Sequence, residues 1–172
     1  FAYEASVRVP MLIRWPTGLV AAERGQVIDK PVETRDILPT MLDAAGQGER
    51  DDIDGRSMLP LLQSNDAQWR EFIDLEHSTC YSPKNHWTAL TDGHTKYIFH
   101  TLDGEEQFFD LTGDPHEQHD LASDTTHEDK LRLWRNRMIE HLAERGEPFV
   151  KNGKLMARPK RFLHSPHYPQ PA

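Results

Sequence analysis

Short apolar runs separated by turn residues predict a small antiparallel sheet in the middle of the chain. Two Asp-Gly pairs, Asp92-Gly93 and Asp103-Gly104, separate the last three runs, and such pairs readily adopt the positive φ values of tight turns. The pattern therefore predicts three strands in a meander, preceded by one further strand. The predicted strands are Phe72–Glu76, His86–Thr91, Lys96–Thr101 and Glu106–Leu111.

A helical period predicts a first helix upstream of the sheet. Thr34 suits the N-cap, and Gly46 suits the stop. Pro39 is tolerated only near the first turn, which places the start close to Arg35 or Asp36. The apolar positions expected on one face are Ile37, Leu38, Met41, Leu42 and Ala45.

The strongest helical period follows the sheet, from Thr126 to Arg145. Thr125 or Thr126 is expected to cap this helix, and Gly146 to end it. We expect it to cross one face of the sheet and to bury Trp134 against Ile98 and Phe108. The side chains that recur at intervals of three or four residues are Leu131, Trp134, Met138, His141 and Leu142.

The beginning of the chain is predicted to contribute a strand to a larger sheet. Val7–Trp15 is rich in β-branched and apolar residues, although Pro10 removes one backbone donor. Glu4 and Arg8 are expected to form a structural ion pair beside it. A soft domain boundary is expected near residues 63–68, where the sequence becomes polar and turn-like.

Composition and charge narrow the possible functions of the 172-residue chain. It is 37% hydrophobic and 28% charged, with 12 prolines and 10 glycines, which favours a loop-rich globular fold. The net charge of −8 disfavours general affinity for nucleic acid. We interpret the basic tail as a solvated terminal arm. Its basic residues are Lys151, Lys154, Arg158, Lys160 and Arg161.

The single cysteine, Cys80, excludes an internal disulfide and a thiolate metal cluster. His116 and His119 are three residues apart, but no HExxH motif accompanies them, and we interpret this segment as a structural turn. No segment resembles a signal peptide or approaches the roughly 20 apolar residues that cross a bilayer. The chain begins at Phe1, within a motif, and we expect a fragment or a processed piece.

Four polar residues are expected to meet at the first corner of the sheet. Glu76, His77, Asn85 and His86 lie at the end of one strand, across a loop, and at the start of the next. Converging polar groups suit a polyhydroxylated or anionic ligand. A histidine at a strand end is also commonly solvated or bonded to backbone, so the residues alone leave both interpretations open.

Five ordered motifs resemble the C-terminal third of a type I sulfatase of the alkaline-phosphatase-like superfamily. Their order and spacing extend from Phe1 to about Gly146. The motifs are YEASVRVPMLIRWP, VIDKPVETRDILPTMLDAAG, DGRSMLPLL, WTALTDGHTKYIFH and EEQFFDLTGDPHEQHDLA.

The resemblance implies an α/β protein, of which this piece is α+β. Residues 1–66 would be the end of the catalytic α/β domain, with its central sheet. Residues 67–146 would form a small antiparallel sheet packed with a C-terminal helix, and residues 147–172 an extended C-terminal arm.

The resemblance also implies hydrolysis of sulfate esters, with sulfated carbohydrates as candidate substrates. Type I sulfatases use a formylglycine made within Cys/Ser-x-Pro-x-Arg and a calcium ion. Cys80 is followed by Tyr-Ser-Pro, so Pro83 comes one place too late and the motif is absent. We therefore expect no catalytic residue and no metal ligand in this chain, which alone would be inactive.

The expected contribution of the chain is a wall of the substrate cleft. The resemblance gives Glu76, His77, Asn85 and His86 this role, with Trp87 or Tyr81 able to stack on a sugar. The expected partners are the N-terminal catalytic part of the same enzyme and a sulfated small molecule or glycan, without nucleic acid or membrane.

Two other functions stay open at this point. One is a phosphonate or phosphodiester hydrolase of the same superfamily, and the other is a non-catalytic carbohydrate-binding module. The sequence determines neither the substrate, nor the oligomeric state, nor the compartment: export would place the enzyme in the periplasm or outside the cell, and a cytoplasmic location is equally compatible.

Overall fold

A computed structural model describes residues 1–16, 18–48, 50–64, 67–78 and 82–159. The chain forms two compact units, a sheet unit (Phe1–Val9 with Asp74–Ala172) and a helical unit (Pro10–Ile73). This division differs from the predicted ranges 1–66 and 67–146. The first nine residues group with the sheet, and the junction lies later than residues 63–68.

The regular elements alternate between short helices and strands. Among the described residues, no helix is both long enough and apolar enough to cross a lipid bilayer. In chain order the elements are α1 (Glu4–Val7), α2 (Ile37–Ala44), α3 (Leu59–Gln63), β1 (Ile73–His77), β2 (Trp87–Thr91), β3 (Thr95–His100), β4 (Glu106–Asp110), α4 (Glu128–Ala143), β5 (Val150–Lys151) and β6 (Lys154–Leu155).

The predicted meander is confirmed. The four-stranded sheet has the order β1-β2-β3-β4, and β3 is antiparallel to both β2 and β4. Gly93 and Gly104 adopt φ values of 88° and 83° in the two turns. Asp92 Oδ1 accepts hydrogen bonds from the backbone N–H groups of His94 and Thr95, at 2.9 and 2.7 Å, which stabilises the first turn.

Both faces of the sheet are covered, because residues on β2 and β3 are buried whichever way they point. Ala89 pairs with Ile98 and lies on one face, in an apolar cluster that includes Ala2. Leu90 pairs with Tyr97 and lies on the other face. We call these the N-terminal face and the α4 face.

Helix α4 covers the α4 face, and its predicted period is confirmed. Leu131, Trp134, Met138 and Leu142 are its buried side chains, and Gly146 follows its end at φ 83°. The expected cap at Thr125 or Thr126 is wrong, since the N-cap position of α4 is His127. Asp124 caps the preceding 3₁₀ turn Thr125–His127, where its carboxylate accepts the Thr126 N–H.

The expected packing of Trp134 against Ile98 is wrong. Side chains alternate along β3, so Ile98 lies on the N-terminal face, whereas Tyr97 and its neighbour Phe108 lie on the α4 face. The sequence prediction placed Ile98 and Phe108 on the same face of the sheet, whereas they lie on opposite faces.

A charged contact links α4 to the sheet. Arg135 donates from Nε and Nη2 to the two carboxylate oxygens of Glu106, each at 2.6 Å, and the Tyr97 hydroxyl donates to Glu106 Oε1 at 2.5 Å. Burial raises the pKa of Tyr97, and the neighbouring carboxylate raises it further. Tyr97 is therefore a hydrogen-bond donor throughout the physiological range.

A fully buried lysine attaches the N-terminal segment to the opposite face. Lys96 Nζ lies 2.6 Å from Glu4 Oε1 and 2.8 Å from Glu117 Oε1, and it donates to the Ala2 carbonyl at 3.0 Å. The expected pair of Glu4 with Arg8 is present but long, at 3.9 Å, and the Arg8 side chain is 74% exposed. The main partner of Glu4 is therefore Lys96.

The predicted strand Val7–Trp15 is wrong. Glu4–Val7 is a short helix, and the described part of the following segment has no strand. Pro10 lacks the N–H that a ladder needs, and no described strand lies beside this segment to pair with it. Leu12 is 91% exposed as a result.

The helical unit is organised around Asp36, which is fully buried. Its carboxylate forms a bidentate ion pair with Arg70, at 2.8 and 2.5 Å, and accepts the backbone N–H groups of Glu33 and Arg56. The predicted helix is confirmed as α2, preceded by one 3₁₀ turn. Its predicted apolar face is largely exposed, however, because Ile37, Leu38 and Met41 point outward.

The segment after α4 is not simply an extended arm. Strands β5 and β6 form a hairpin around Asn152 and Gly153, with φ values of 51° and 69°. Asn-Gly is the signal from which this hairpin could have been predicted. Residues 160–172 lie outside the described part of the chain.

We predict that Lys96→Met destabilises the protein by about 3–5 kcal/mol, because it leaves two carboxylates close together without their buried cation. Chemical denaturation would measure the loss. Lys130→Met removes an exposed lysine of α4 and should change the free energy of unfolding by less than about 0.5 kcal/mol. Equal effects of the two substitutions would contradict the prediction.

We predict that Glu106→Gln weakens the dependence of stability on acid pH. Burial acts to raise the pKa of Glu106, but hydrogen bonds from Arg135 and Tyr97 outweigh it, and the pKa lies below its ordinary value of 4.5. A lowered carboxyl pKa stabilises the fold above the ordinary value, and this contribution disappears as the pH falls through the folded-state pKa.

Denaturation at a series of pH values tests this. The difference in stability between wild type and Glu106→Gln should be largest near neutral pH and should shrink below about pH 4.5. Glu105→Gln, at the exposed neighbouring position, is the control. A difference that stays constant down to pH 2 would refute this account.

Candidate functional site

The four predicted site residues lie at one end of the sheet. Glu76 and His77 end β1, Asn85 ends the 3₁₀ turn Pro83–Asn85, and His86 immediately precedes β2. His77 Nδ1 lies 2.6 Å from the carbonyl oxygen of Asn85. Glu76 and His77 are both close enough to influence the pKa of His86. We call these four residues, together with Arg145 and Arg158 described below, the polar corner.

The strand period divides the polar corner between the two faces of the sheet. Glu76 lies on the α4 face, where its Oε2 accepts a hydrogen bond from Arg145 at 2.9 Å. His77 points to the N-terminal face and stacks on Trp87, with ring centroids 5.7 Å apart. Trp87 itself belongs to the buried cluster, so it packs in the core. Tyr81, the other predicted stacking residue, lies outside the described residues.

The contact with Asn85 determines the tautomer of the His77 ring. A carbonyl oxygen can only accept, so Nδ1 carries a hydrogen and donates it to Asn85. When the ring is neutral, Nε2 is consequently an acceptor. His77 can therefore accept a hydrogen bond from a hydroxyl group, and it can donate through Nε2 once it is protonated.

His86 is buried and held rigidly through its backbone. It is 4% exposed, and its carbonyl accepts hydrogen bonds from both the N–H and the hydroxyl of Thr101, each at 2.9 Å. Burial lowers the pKa of His86, the charge of Arg158 lowers it further, and Glu76 acts in the opposite direction. The imidazole is therefore neutral at physiological pH.

Two arginines complete the polar corner, and sequence reasoning missed both in this role. Arg145 follows α4, and Arg158 follows the β5–β6 hairpin; their guanidinium carbons lie 4.0 and 4.1 Å from the ring centroid of Phe149. Arg158 also donates its backbone N–H to the Thr101 carbonyl. The interpretation of Arg158 as part of a solvated arm is wrong, since it is 2% exposed.

The polar corner carries an excess of positive charge in a protein of net charge −8. Burial lowers the pKa of Arg158 to about 10, the Glu76 carboxylate raises it, and Arg145 lowers it. Arg158 still carries its charge at neutral pH. Glu76 thus lies near two guanidinium groups, and such a pair of arginines favours the binding of an anion.

The described residues do not include a set of side chains that suits a metal ion. No three His, Cys, Asp or Glu side chains within this part of the chain come close enough to hold one. In the HEQHD segment, Glu117 is bound to Lys96, while His119 is 77% exposed and contacts Asp114 at 3.3 Å. Cys80 lies outside the described residues.

Comparison with known proteins identifies the family. The family described as N-sulphoglucosamine sulphohydrolase, C-terminal, matches residues 1–144. An arylsulfatase of Clostridium perfringens is 34% identical over 154 residues, which cover 90% of this chain and 31% of that protein. An N-acetylglucosamine-6-O-sulfatase of Bacteroides thetaiotaomicron is 30% identical over 127 residues, covering 70% and 22%. The chain thus spans less than a third of these curated relatives.

Solved structures show the same fold. A protein solved in complex with its substrate D-glucosamine-2-N,6-O-disulfate aligns with a TM-score of 0.56 and 23% identity, over 63% of this chain and 23% of that one. A phosphonate monoester hydrolase from Silicibacter pomeroyi aligns with a TM-score of 0.58 and 24% identity, over 72% and 27%.

These likenesses confirm the predicted fold class, and the match to residues 1–144 confirms the resemblance inferred from the motifs. The chain belongs to the family described as N-sulphoglucosamine sulphohydrolase, C-terminal.

Proposed function

We propose that the protein containing this chain is a sulfuric ester hydrolase acting on sulfated carbohydrate, and that the polar corner forms a wall of its substrate cleft. The observation that carries the second part is the convergence of Glu76, His77 and His86 at the end of the sheet, beside Arg145 and Arg158. A relative named for N-acetylglucosamine 6-O-sulfate supports a carbohydrate substrate.

Each residue of the polar corner has a role that suits a sulfated sugar. Glu76 accepts hydrogen bonds from sugar hydroxyls, as it already does from Arg145. His77 accepts through Nε2, because Nδ1 donates to the Asn85 carbonyl. Asn85 positions His77, and the buried ring of His86 bonds to a hydroxyl or a sulfate oxygen. No residue of the described chain is assigned as nucleophile.

The calcium ion and the formylglycine belong, in this proposal, to the rest of the protein. The chain lacks the Cys/Ser-x-Pro-x-Arg motif, and the described residues offer no suitable ligand set, so they do not fit either group. This chain therefore contributes binding and positioning.

The rest of the sulfatase is also the proposed partner of the helical unit. Apolar side chains that normally lie in cores are exposed there, including Leu12 at 91%, Val27 at 93% and Met41. A concentration of exposed apolar side chains marks an interaction surface. The arylsulfatase of Clostridium perfringens extends well beyond the region that this chain matches, which is 31% of its length, and the corresponding part of this protein is the proposed covering partner.

A phosphonate hydrolase is the second candidate, favoured by the structural likeness to such an enzyme, which extends to the fold alone. Assays of the full-length protein on paired sulfate, phosphate and phosphonate esters separate the two. The carbohydrate-binding module would bind sulfated glycan and hydrolyse none of these esters.

We predict that Leu12→Glu destabilises the full-length protein by about 2 kcal/mol or more, because a carboxylate is then buried against the rest of the enzyme. If Leu12 is exposed to solvent in the full-length protein, the substitution should change the free energy of unfolding by less than about 0.5 kcal/mol. Thermal or chemical unfolding of the full-length protein measures the effect. A neutral result would exclude Leu12 from the interface.

We predict that His86→Ala lowers kcat/KM on a sulfated sugar about tenfold, which corresponds to the loss of one hydrogen bond of about 1.4 kcal/mol. KM should account for most of the change. His86→Gln retains a hydrogen-bonding side chain and should recover part of the activity. His119→Ala removes an exposed histidine distant in sequence from the polar corner and serves as the control.

Circular dichroism and the unfolding midpoint show whether each variant is folded. Folded His86→Ala and His86→Gln with unchanged kinetics would remove His86 from the substrate site. Loss of kcat alone, with an unchanged KM, would also argue against a binding role.

A further inference from the structure

The guanidinium group of Arg158 is buried without acceptors for its hydrogens. The residue is 2% exposed, and within the described part of the chain Nε, Nη1 and Nη2 have no hydrogen-bond partner. Leaving buried donors unsatisfied destabilises the folded state, and the cost is larger when the donors are charged. Such a group is either a substantial cost to the fold or one half of an interaction with a ligand.

The surroundings hold Arg158 in place, but among the described residues they give its guanidinium group no hydrogen-bond acceptor. Its backbone donates to Thr101, and its guanidinium lies over Phe149. Glu76 is close enough to raise its pKa, but the carboxylate contact that the structure shows is with Arg145, at 2.9 Å. A face-on aromatic contact leaves the in-plane N–H groups available to an acceptor.

An open groove of about 440 Å³ leads to this residue. Lys151 also borders it and pairs with Glu147 at 3.3 Å, whereas Met156 and Pro159 provide apolar walls. A groove of this size accommodates a sugar unit with its substituents. Among the described residues that line the groove, Arg158 is the arginine.

We propose that Arg158 binds an anionic substituent of the substrate, a sulfate or a carboxylate, other than the ester that is cleaved. The planar fork of a guanidinium matches the oxygens of either group, and two parallel hydrogen bonds would satisfy its buried donors. Arg145 adds positive charge beside it. The anion site follows from the geometry, whereas its assignment to a substrate rests on the proposed function.

Thermal unfolding of the full-length protein with added sodium sulfate or sodium acetate tests the anion site. Sulfate should raise the midpoint of the wild type, and the half-saturating concentration should increase about tenfold in Arg158→Met. Arg158→Lys keeps the charge without the fork and should fall between the two. A response to acetate as strong as that to sulfate would identify a carboxylate as the ligand.

The matched control is Arg137→Met, which removes another guanidinium that lies over an aromatic ring, 4.9 Å from the centroid of Trp134. It should leave the sulfate response unchanged. Without added anion, Arg158→Met should be at least as stable as the wild type, because it removes an unsatisfied buried charge. Marked destabilisation, or an unchanged sulfate response, would overturn the proposal.

Kinetics on two sulfated sugars, identical except for one further anionic group, test the assignment to a substrate. Arg158→Met should raise KM about tenfold for the more highly charged sugar only. Equal effects on both sugars would overturn the assignment. A wild type inactive on every sulfate ester would refute the proposed function, while the sulfate titration would still decide whether the anion site exists.

Discussion

The buried ammonium group of Lys96 is the interaction on which the sheet unit depends. It connects three separate parts of the chain, because Ala2, Glu4 and Glu117 all bind it while it belongs to the middle strand β3. Glu117 adopts a positive φ of 52°, and its carboxylate also accepts the Glu4 backbone N–H. A buried charge that water does not reach requires oppositely charged groups or hydrogen-bond acceptors beside it. The N-terminal segment supplies several of them, so it must lie against this face.

Both faces of the sheet are covered by other parts of the chain, so we place the proposed ligand site at one of its ends. The N-terminal segment lies on one face and α4 on the other, and β2 is buried along its whole length. The polar side chains that we propose to contact a ligand lie where the strands end. Thr101 connects the members of that end, since it donates to the His86 carbonyl and accepts the Arg158 N–H. The covered sheet thus gives the polar corner a rigid base.

Local chemistry accounts for what the sequence predicted correctly. Asp-Gly turns and a strong helical period depend on neighbouring residues, so the meander and α4 were predictable. The burial of Arg158 involves a contact with Thr101, which is distant in sequence, whereas the basic residues of the tail suggested only a solvated arm. The strand expected at Val7–Trp15 required a neighbouring strand, which pattern alone cannot supply. The alternation of side chains along β3 is a local property of the sequence, and it places Ile98 on the face opposite to Trp134.

The positive polar corner is compatible with an acidic protein because electrostatic effects are local. Charges in solvent are screened over about 8 Å at physiological ionic strength, so distant surface carboxylates contribute little. Arg145 and Arg158 are close to each other, and the burial of Arg158 limits screening by solvent. Overall charge therefore disfavours a broad polyanion-binding surface, while it remains compatible with the proposed binding of a single sulfate or carboxylate. A sulfated sugar meets this condition, because its charge is concentrated in a few small substituents.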